Sequence, residues 1–166
     1  MPFKFEKLEI WQLVLEYIDL IYEIAAQLPK TEEYNLKSQI VRAATSIALN
    51  IAEGSTGQTN AEQARFLSMA QRSLIETVAC QHLIHRRQLL ADPEPLREVY
   101  RRADVLAAKI QGMRRSLIGA REHLAEEPGD YLITATLYSS DLDADPAEEL
   151  GGRWSVVGGQ PTAEDA

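Results

Sequence analysis

SIALNIAEGSTG, residues 46–57, is the deciding stretch for the fold. Ile47, Ala48 and Ile51 share one face of a helix, and the small Ala48 and Ala52 let a neighbouring helix come close. The stretch then closes with Asn50, Glu53 and Gly54. A glycine just past a helix end adopts a positive φ without steric cost, so Gly54 reads as the helix stop. Asn50 and Glu53 then read as polar residues that fix the corner to the next element or to a neighbouring subunit. A catalytic Glu53, as general base or metal ligand, would need a pocket, a perturbed pKa and a proton to abstract. No nucleophile or oxyanion donor lies nearby in the sequence, so the structural corner is the better reading.

Working outward, the same helical period recurs on both sides. Before it, residues 7–28 place Trp11, Val14, Leu15, Ile18, Ile21, Tyr22, Ala25 and Leu28 three or four apart, which predicts an amphipathic helix ended by Pro29. The deciding stretch belongs to a second helix over 34–53, with Leu36, Ile40, Ala43, Ala44, Ile47, Ala48 and Ile51 inward. Thr59 or Asn60 caps a third, with Glu62 or Gln63 three residues on as a capping box. That helix is predicted to reach about Leu90, burying Phe66, Met69, Ala70, Leu74, Thr77, Val78, Gln81 and Ile84. ADPEP turns the chain into a fourth helix over 94–117, with Leu96, Val99, Tyr100, Ala103, Leu106, Ala107, Ile110, Met113 and Leu117 inward. The connections are too short for crossovers, so residues 1–120 are expected to form an all-α, antiparallel up-and-down four-helix bundle.

Residues 121–166 read differently. The whole chain of 166 residues carries a net charge of -8. Residues 1–118 hold 15 Lys+Arg and 14 Asp+Glu, whereas 119–166 hold 2 and 11. The acidity therefore belongs to a C-terminal tail. Within it YLITATLY (131–138) and residues 153–157 are strand-prone. Two readings stand: an acidic arm without structure, or a short β element docked on the bundle or on a partner. In the second, Tyr131, Ile133, Leu137 and Trp154 are the partner-binding side chains.

Several function classes are disfavoured by what the sequence holds. The charged start MPFKFEKLEIWQ lacks a signal peptide's apolar run, and no stretch of about 18 uncharged apolar residues is present to span a membrane. A lone cysteine, Cys80, fits a reducing cytoplasm and a small core residue. His82 and His85 lack the Glu-x-x-His pairing of di-iron bundles and are expected to face solvent, and no metal or cofactor is expected. Nothing resembles a phosphate-binding glycine loop, a catalytic triad or a zinc site. Tyr17, Tyr22, Tyr34 and Tyr100 are expected in the seams with their hydroxyls in water.

The strongest functional signal in the bundle is basic. Arg65, Arg72, Arg86 and Arg87 lie on the third helix, and Arg97, Arg101, Arg102 and Arg115 on the fourth. On an ideal helix Arg97, Arg101 and Arg115 fall within about 40° of one another. Repeated around a ring, such a stripe is a candidate nucleic-acid-binding surface.

Four motifs carry a family resemblance. They are F-x-x-L-x-I-W-Q (5–12), L-P-x-x-E-x-Y-x-L-x-x-Q-I-x-R-A-A-x-S-I (28–47), N-I-A-E-G (50–54) and A-R-F-L-S-M-A-Q-R-S-L-I-E-T (64–77). In order and spacing they resemble the bacterial four-helix-bundle proteins first noticed as products of intervening sequences in the large-subunit ribosomal RNA gene. The resemblance implies a homo-pentameric barrel of bundles. One branch of that family is the accessory protein of diversity-generating retroelements, which implies contact with a reverse transcriptase and RNA. Arg72 stands where the family often has glycine, the tail has no counterpart, and the body lacks the strong basicity of the accessory proteins. The expected function is a non-enzymatic, cytoplasmic, ring-forming accessory or scaffold protein in a ribonucleoprotein setting. The alternative is a protein-binding adaptor that uses the acidic tail.

Overall fold

The computed structural model describes residues 2–119. The tail, with Tyr131, Ile133, Leu137, Trp154 and the strand-prone segments, lies outside the described residues. Four helices carry the fold: α1 (Glu9–Gln27), α2 (Leu36–Ser55), α3 (Asn60–Arg86) and α4 (Glu94–Ile118). Short 3-10 turns, Phe5–Lys7 and Lys30–Glu32, precede α1 and α2, and among the described residues there is no strand.

Local chemistry sets each helix end. Leu28 is already extended and Pro29 follows it, which closes α1. Thr59 caps α3, its hydroxyl accepting the Glu62 N–H at 3.1 Å, while the Glu62 carboxylate reaches back to the N–H of Gln58 at 3.0 Å. The reciprocal pair thus closes one residue earlier than the standard capping box. Asp92 accepts the N–H of Glu94 at the start of α4, where Pro95 occupies the first turn and so leaves no backbone donor unmet. The third helix stops four residues before its predicted end. Gln88 adopts φ 51° there, and the N–H groups of Leu89 and Gln88 return to the carbonyls of Ile84 and His85. This is a Schellman stop built on a residue other than glycine, so no glycine marks it in the sequence.

Cross-helix pairs give the directions. Glu16 meets Arg102 at 3.3 Å and Glu9 meets Lys109 at 2.7 Å, so residue numbers fall along α4 as they rise along α1. Ser46 with Ser73 at 2.9 Å and Arg42 with Glu76 at 3.8 Å give the same opposition for α2 and α3. Neighbours around the bundle are α1–α2, α2–α3, α3–α4 and α4–α1, an up-and-down arrangement.

The core is aliphatic and alanine-rich. All seven inward residues expected of α2 are buried, as are Leu96, Val99, Tyr100, Ala103, Leu106 and Ile110 of α4. On α3, Met69 is exposed, so its expected place in the core is corrected. On the first helix Val14, Ile21, Ala25 and Leu28 are buried as expected, but the buried face is turned toward Ile10, Tyr17 and Ile24. Its buried row is Ile10, Val14, Tyr17, Ile21, Ile24 and Leu28, alternating four and three residues, while Leu15 (39%) and Tyr22 (52%) are exposed. Thirteen apolar residues crowd α1, and two overlapping stripes satisfy the same period. The expectation of water-facing tyrosine hydroxyls fails at Tyr17, which is fully buried. Tyr100 is buried too, and burial beside Asp104 pushes its ionisation up to about 12.

Gly54 corrects a second expectation. It lies inside α2, is buried and has no positive φ; among the described residues only Gly119 (φ 75°) and Gln88 have one. A Cβ at Gly54 would stand 2.8 Å from the Cβ of Phe66 on α3. The residue is glycine because α2 and α3 nearly touch there, and the helix ends one residue later.

Candidate interaction face

Asn50 and Glu53, the polar residues of the deciding stretch, part company in the structure. Asn50 is buried, and its amide donates to the Ser46 carbonyl (2.8 Å) and hydroxyl (3.2 Å). Since that hydroxyl also pairs with Ser73, Asn50 tightens the α2–α3 seam one turn before the corner. Glu53 is exposed; its backbone carbonyl, not its carboxylate, accepts the Thr56 N–H and hydroxyl.

The eight arginines of the expected nucleic-acid surface separate into two groups. On α4, Arg97, Arg101 and Arg102 are held by carboxylates of their own helix. Glu94 bonds Arg97 at 3.0 Å and Arg101 at 3.3 Å; Glu98 bonds Arg101 at 3.0 Å and Arg102 at 2.8 Å. Arg102 also reaches Glu16 of α1. The guanidinium hydrogen bonds hold the carboxyl groups of Glu94 and Glu98 below the usual carboxylate range. With Glu16 of α1, the stretch 94–102 is therefore a neutral lattice of ion pairs, three arginines against three glutamates. The signal was available in the sequence: Glu94 stands three before Arg97, and Glu98 three and four before Arg101 and Arg102. Arg115 lies near the other end of the helix, exposed, with no carboxylate partner among the described residues.

On α3 the pattern differs. Arg87 meets Glu32 at 3.7 Å, and Glu32 is buried with Asn35 donating to its other oxygen at 2.8 Å. Arg87 thus clasps the α1–α2 connection to the end of α3. Arg65 lies over the Phe66 ring at 5.8 Å. Arg65, Arg72 and Arg86 have no carboxylate partner among the described residues. They stand in one exposed row of α3, Arg65, Met69, Arg72, Glu76, Ala79, Leu83 and Arg86, spaced alternately four and three.

Sequence reasoning missed the complementary row on α1. Gln12, Leu15, Asp19, Tyr22 and Ala26 follow the same spacing and all are exposed, with Glu16 and Glu23 beside them. Misplacing Leu15 and Tyr22 in the core hid this row. On α2, Leu49 adds a further large apolar side chain, 56% exposed, and on α4 Val105 another.

Elsewhere the surface offers little chemistry. Among the described residues no group of three or more His, Cys, Asp or Glu side chains comes together as a metal site. His82 and His85 are half-buried rather than solvent-facing, with the His82 ring edge-on to Tyr100 at 6.4 Å. Cys80 is buried, and burial followed by the Glu76 charge pushes its thiol ionisation up, which makes it a poor nucleophile. A shallow depression of about 280 Å³ lies between Leu8, Ile10, Ala108, Gly112 and Met113, edged by the Glu9–Lys109 pair. No described helix is long and apolar enough to cross a membrane.

Comparison with known proteins adds a family. The sequence profile described as 23S rRNA-intervening sequence protein matches residues 6–112, which takes in all but the end of α4. Among solved structures, the chain is similar to a protein with unknown function from the S23 ribosomal protein family of Bacteroides thetaiotaomicron. The two are 22% identical, with a TM-score of 0.47, and the match covers 66% of this chain and 94% of that one. No curated protein matches the chain.

Proposed function

The chain belongs to the 23S rRNA-intervening sequence protein family, and from that premise we propose that it is a non-enzymatic scaffold that assembles as a ring. Five subunits, each an up-and-down bundle, are the proposed complement. The observation that carries this reading is the set of large apolar side chains left on the outside of the four helices: Leu15, Tyr22, Leu49, Met69, Leu83 and Val105. Single exposed apolar residues are ordinary, but those of α1 and α3 fall on helical rows that a second helix can cover. Against catalysis stand the ion-paired arginines at the start of α4, the inert Cys80 and a surface depression lined mainly by aliphatic groups.

The ring is proposed to serve as an accessory component in a ribonucleoprotein setting, with an RNA or a reverse transcriptase as its partner, in the cytoplasm. Support comes from the family's connection with ribosomal RNA genes and from the arginines not committed to carboxylates. The test is purification of the full chain from bacterial cells in two halves, one treated with ribonuclease. Co-purifying RNA that the nuclease removes supports the reading. A protein free of RNA that instead brings down a partner polypeptide, lost on deletion of residues 122–166, moves the function to an adaptor.

A further inference from the structure

The charge left over on α1 and α3 is unequal and opposite. Along the outer row of α1, Asp19 has no basic partner among the described residues, and neither has the adjacent Glu23; Tyr22 and Leu15 stand between and beside them. Along the outer row of α3, Arg65, Arg72 and Arg86 have no acidic partner, and Met69, Ala79 and Leu83 alternate with them. Glu76, the one acid in that row, is engaged by Arg42 of α2. The first turns of α4 show the contrast, Glu94 and Glu98 engaging Arg97, Arg101 and Arg102. Among the described residues, the outer rows of α1 and α3 therefore each combine large exposed apolar side chains with charges that have no counterpart.

We infer that the outer row of α1 in one copy packs along the outer row of α3 in a second copy. Asp19 and Glu23, about 6 Å apart along α1, then meet Arg65 and Arg72, about 10 Å apart along α3, with Tyr22 and Leu15 packed along the seam from Met69, and Arg86 extends the positive row beyond them. The inference rests on the self-assembly reading above and assigns it two faces. Three physical arguments support the pairing. Both rows keep the four-three alternation, which is the geometry of side chains interdigitating between two long helices. The α1 row runs 14 residue steps, about 21 Å, and the α3 row 21 steps, about 32 Å, so the shorter fits within the longer. Their leftover charges are opposite, and arginines interleaved with apolar groups suit a helix of matching pattern better than a uniformly charged phosphate backbone.

The topology gives the contact its symmetry. Helices α1 and α3 sit at diagonal corners of the bundle, so the two faces point away from each other on one molecule. A contact between different faces is head-to-tail, and it closes into a ring when the rotation per step divides a full turn. Arg115 and the surfaces of α2 and α4 stay outside this seam.

The experiment is a charge exchange in the full chain, read by light scattering after size exclusion, with circular dichroism to establish that each variant is folded. One variant carries Arg65→Glu, Arg72→Glu and Arg86→Glu; another carries Asp19→Lys and Glu23→Lys. Each is expected to fall toward the 18.6 kDa single chain. The chain with all five substitutions is expected to regain the assembled mass, because each face again meets its opposite. Both variants holding the wild-type assembled mass would overturn the inference, as would failure of the fivefold exchange to restore it. So would an arginine variant that stays assembled but sheds nuclease-sensitive RNA, which would give the row to phosphate. A wild-type chain of single-chain mass would overturn the self-assembly reading itself, an outcome distinct from the others.

Discussion

The hydroxyl of Tyr17 on α1 lies 2.6 Å from the hydroxyl of Thr77 on α3, inside an otherwise aliphatic core. The two helices are diagonal to one another, so the pair spans the bundle rather than a seam. Gln81, one turn further along α3, donates its amide to the same tyrosine at 2.9 Å, and Thr77 donates to the Leu74 carbonyl. A buried polar knot of this kind penalises any slip of α1 along α3, since a shifted register strands all three groups.

Replacing Tyr17 by phenylalanine keeps the ring but leaves the Gln81 amide without an acceptor in a dry core. The expected loss is about 1–3 kcal/mol of unfolding free energy, measured by urea denaturation. An unchanged midpoint would mean that the knot adds no stability.

The same residue predicts an alkaline limit. Burial pushes the ionisation of Tyr17 far above the ordinary tyrosine range, outweighing the opposing pull of its hydrogen bonds to Thr77 and Gln81. An unfolded chain releases this proton near pH 10, whereas the folded chain keeps it. Above that pH the unfolded state binds fewer protons, so stability falls as pH rises. In Tyr17→Phe the decline from pH 10 upward is expected to be shallower than in the wild type, in pH-dependent thermal melts.

Two glycines inside helices predict opposite outcomes. Gly54→Ala places a methyl 2.8 Å from Phe66 Cβ and must push α2 and α3 apart, at a cost of roughly 1–3 kcal/mol. Gly112→Ala on the outward side of α4 meets nothing within 4 Å and removes a flexible residue from a helix interior. It is expected to stabilise by about 1 kcal/mol. Thermal melts of the two variants should move in opposite directions.

Gln88→Gly relieves a left-handed backbone that costs a side chain about 1 kcal/mol, while the Schellman hydrogen bonds at the end of α3 are retained. A rise in the urea midpoint is expected. A fall would show that the Gln88 side chain contributes more than its backbone strain takes away.

Arginines that the sequence groups together should behave differently. Arg87→Ala leaves the buried Glu32 carboxylate with Asn35 alone and is expected to destabilise by roughly 1 kcal/mol, the exposed guanidinium being partly screened. Arg101→Ala, in the exposed lattice of α4, is expected to leave the denaturation midpoint where it was.

The helices and most of their inward residues were legible in the sequence because α2 and α4 each have one clear apolar stripe. Helix α1 has two, and period alone does not choose between Trp11–Leu15–Ile18–Tyr22 and Ile10–Val14–Tyr17–Ile21. That choice is made by the partners, α2 and α4, which one chain's periodicity does not contain. Gly54 misled for a related reason: its role is set by Phe66, twelve residues on, and the local pattern of a helix stop is the same either way. The pairing of Glu94 and Glu98 with the α4 arginines, by contrast, is written in three- and four-residue spacings and was open to inspection.

Native mass spectrometry of the full chain tests the central claim, a self-assembling ring, most directly. A dominant species near five times 18.6 kDa that persists after ribonuclease treatment is the expected result. A single species at 18.6 kDa across micromolar concentrations would contradict it.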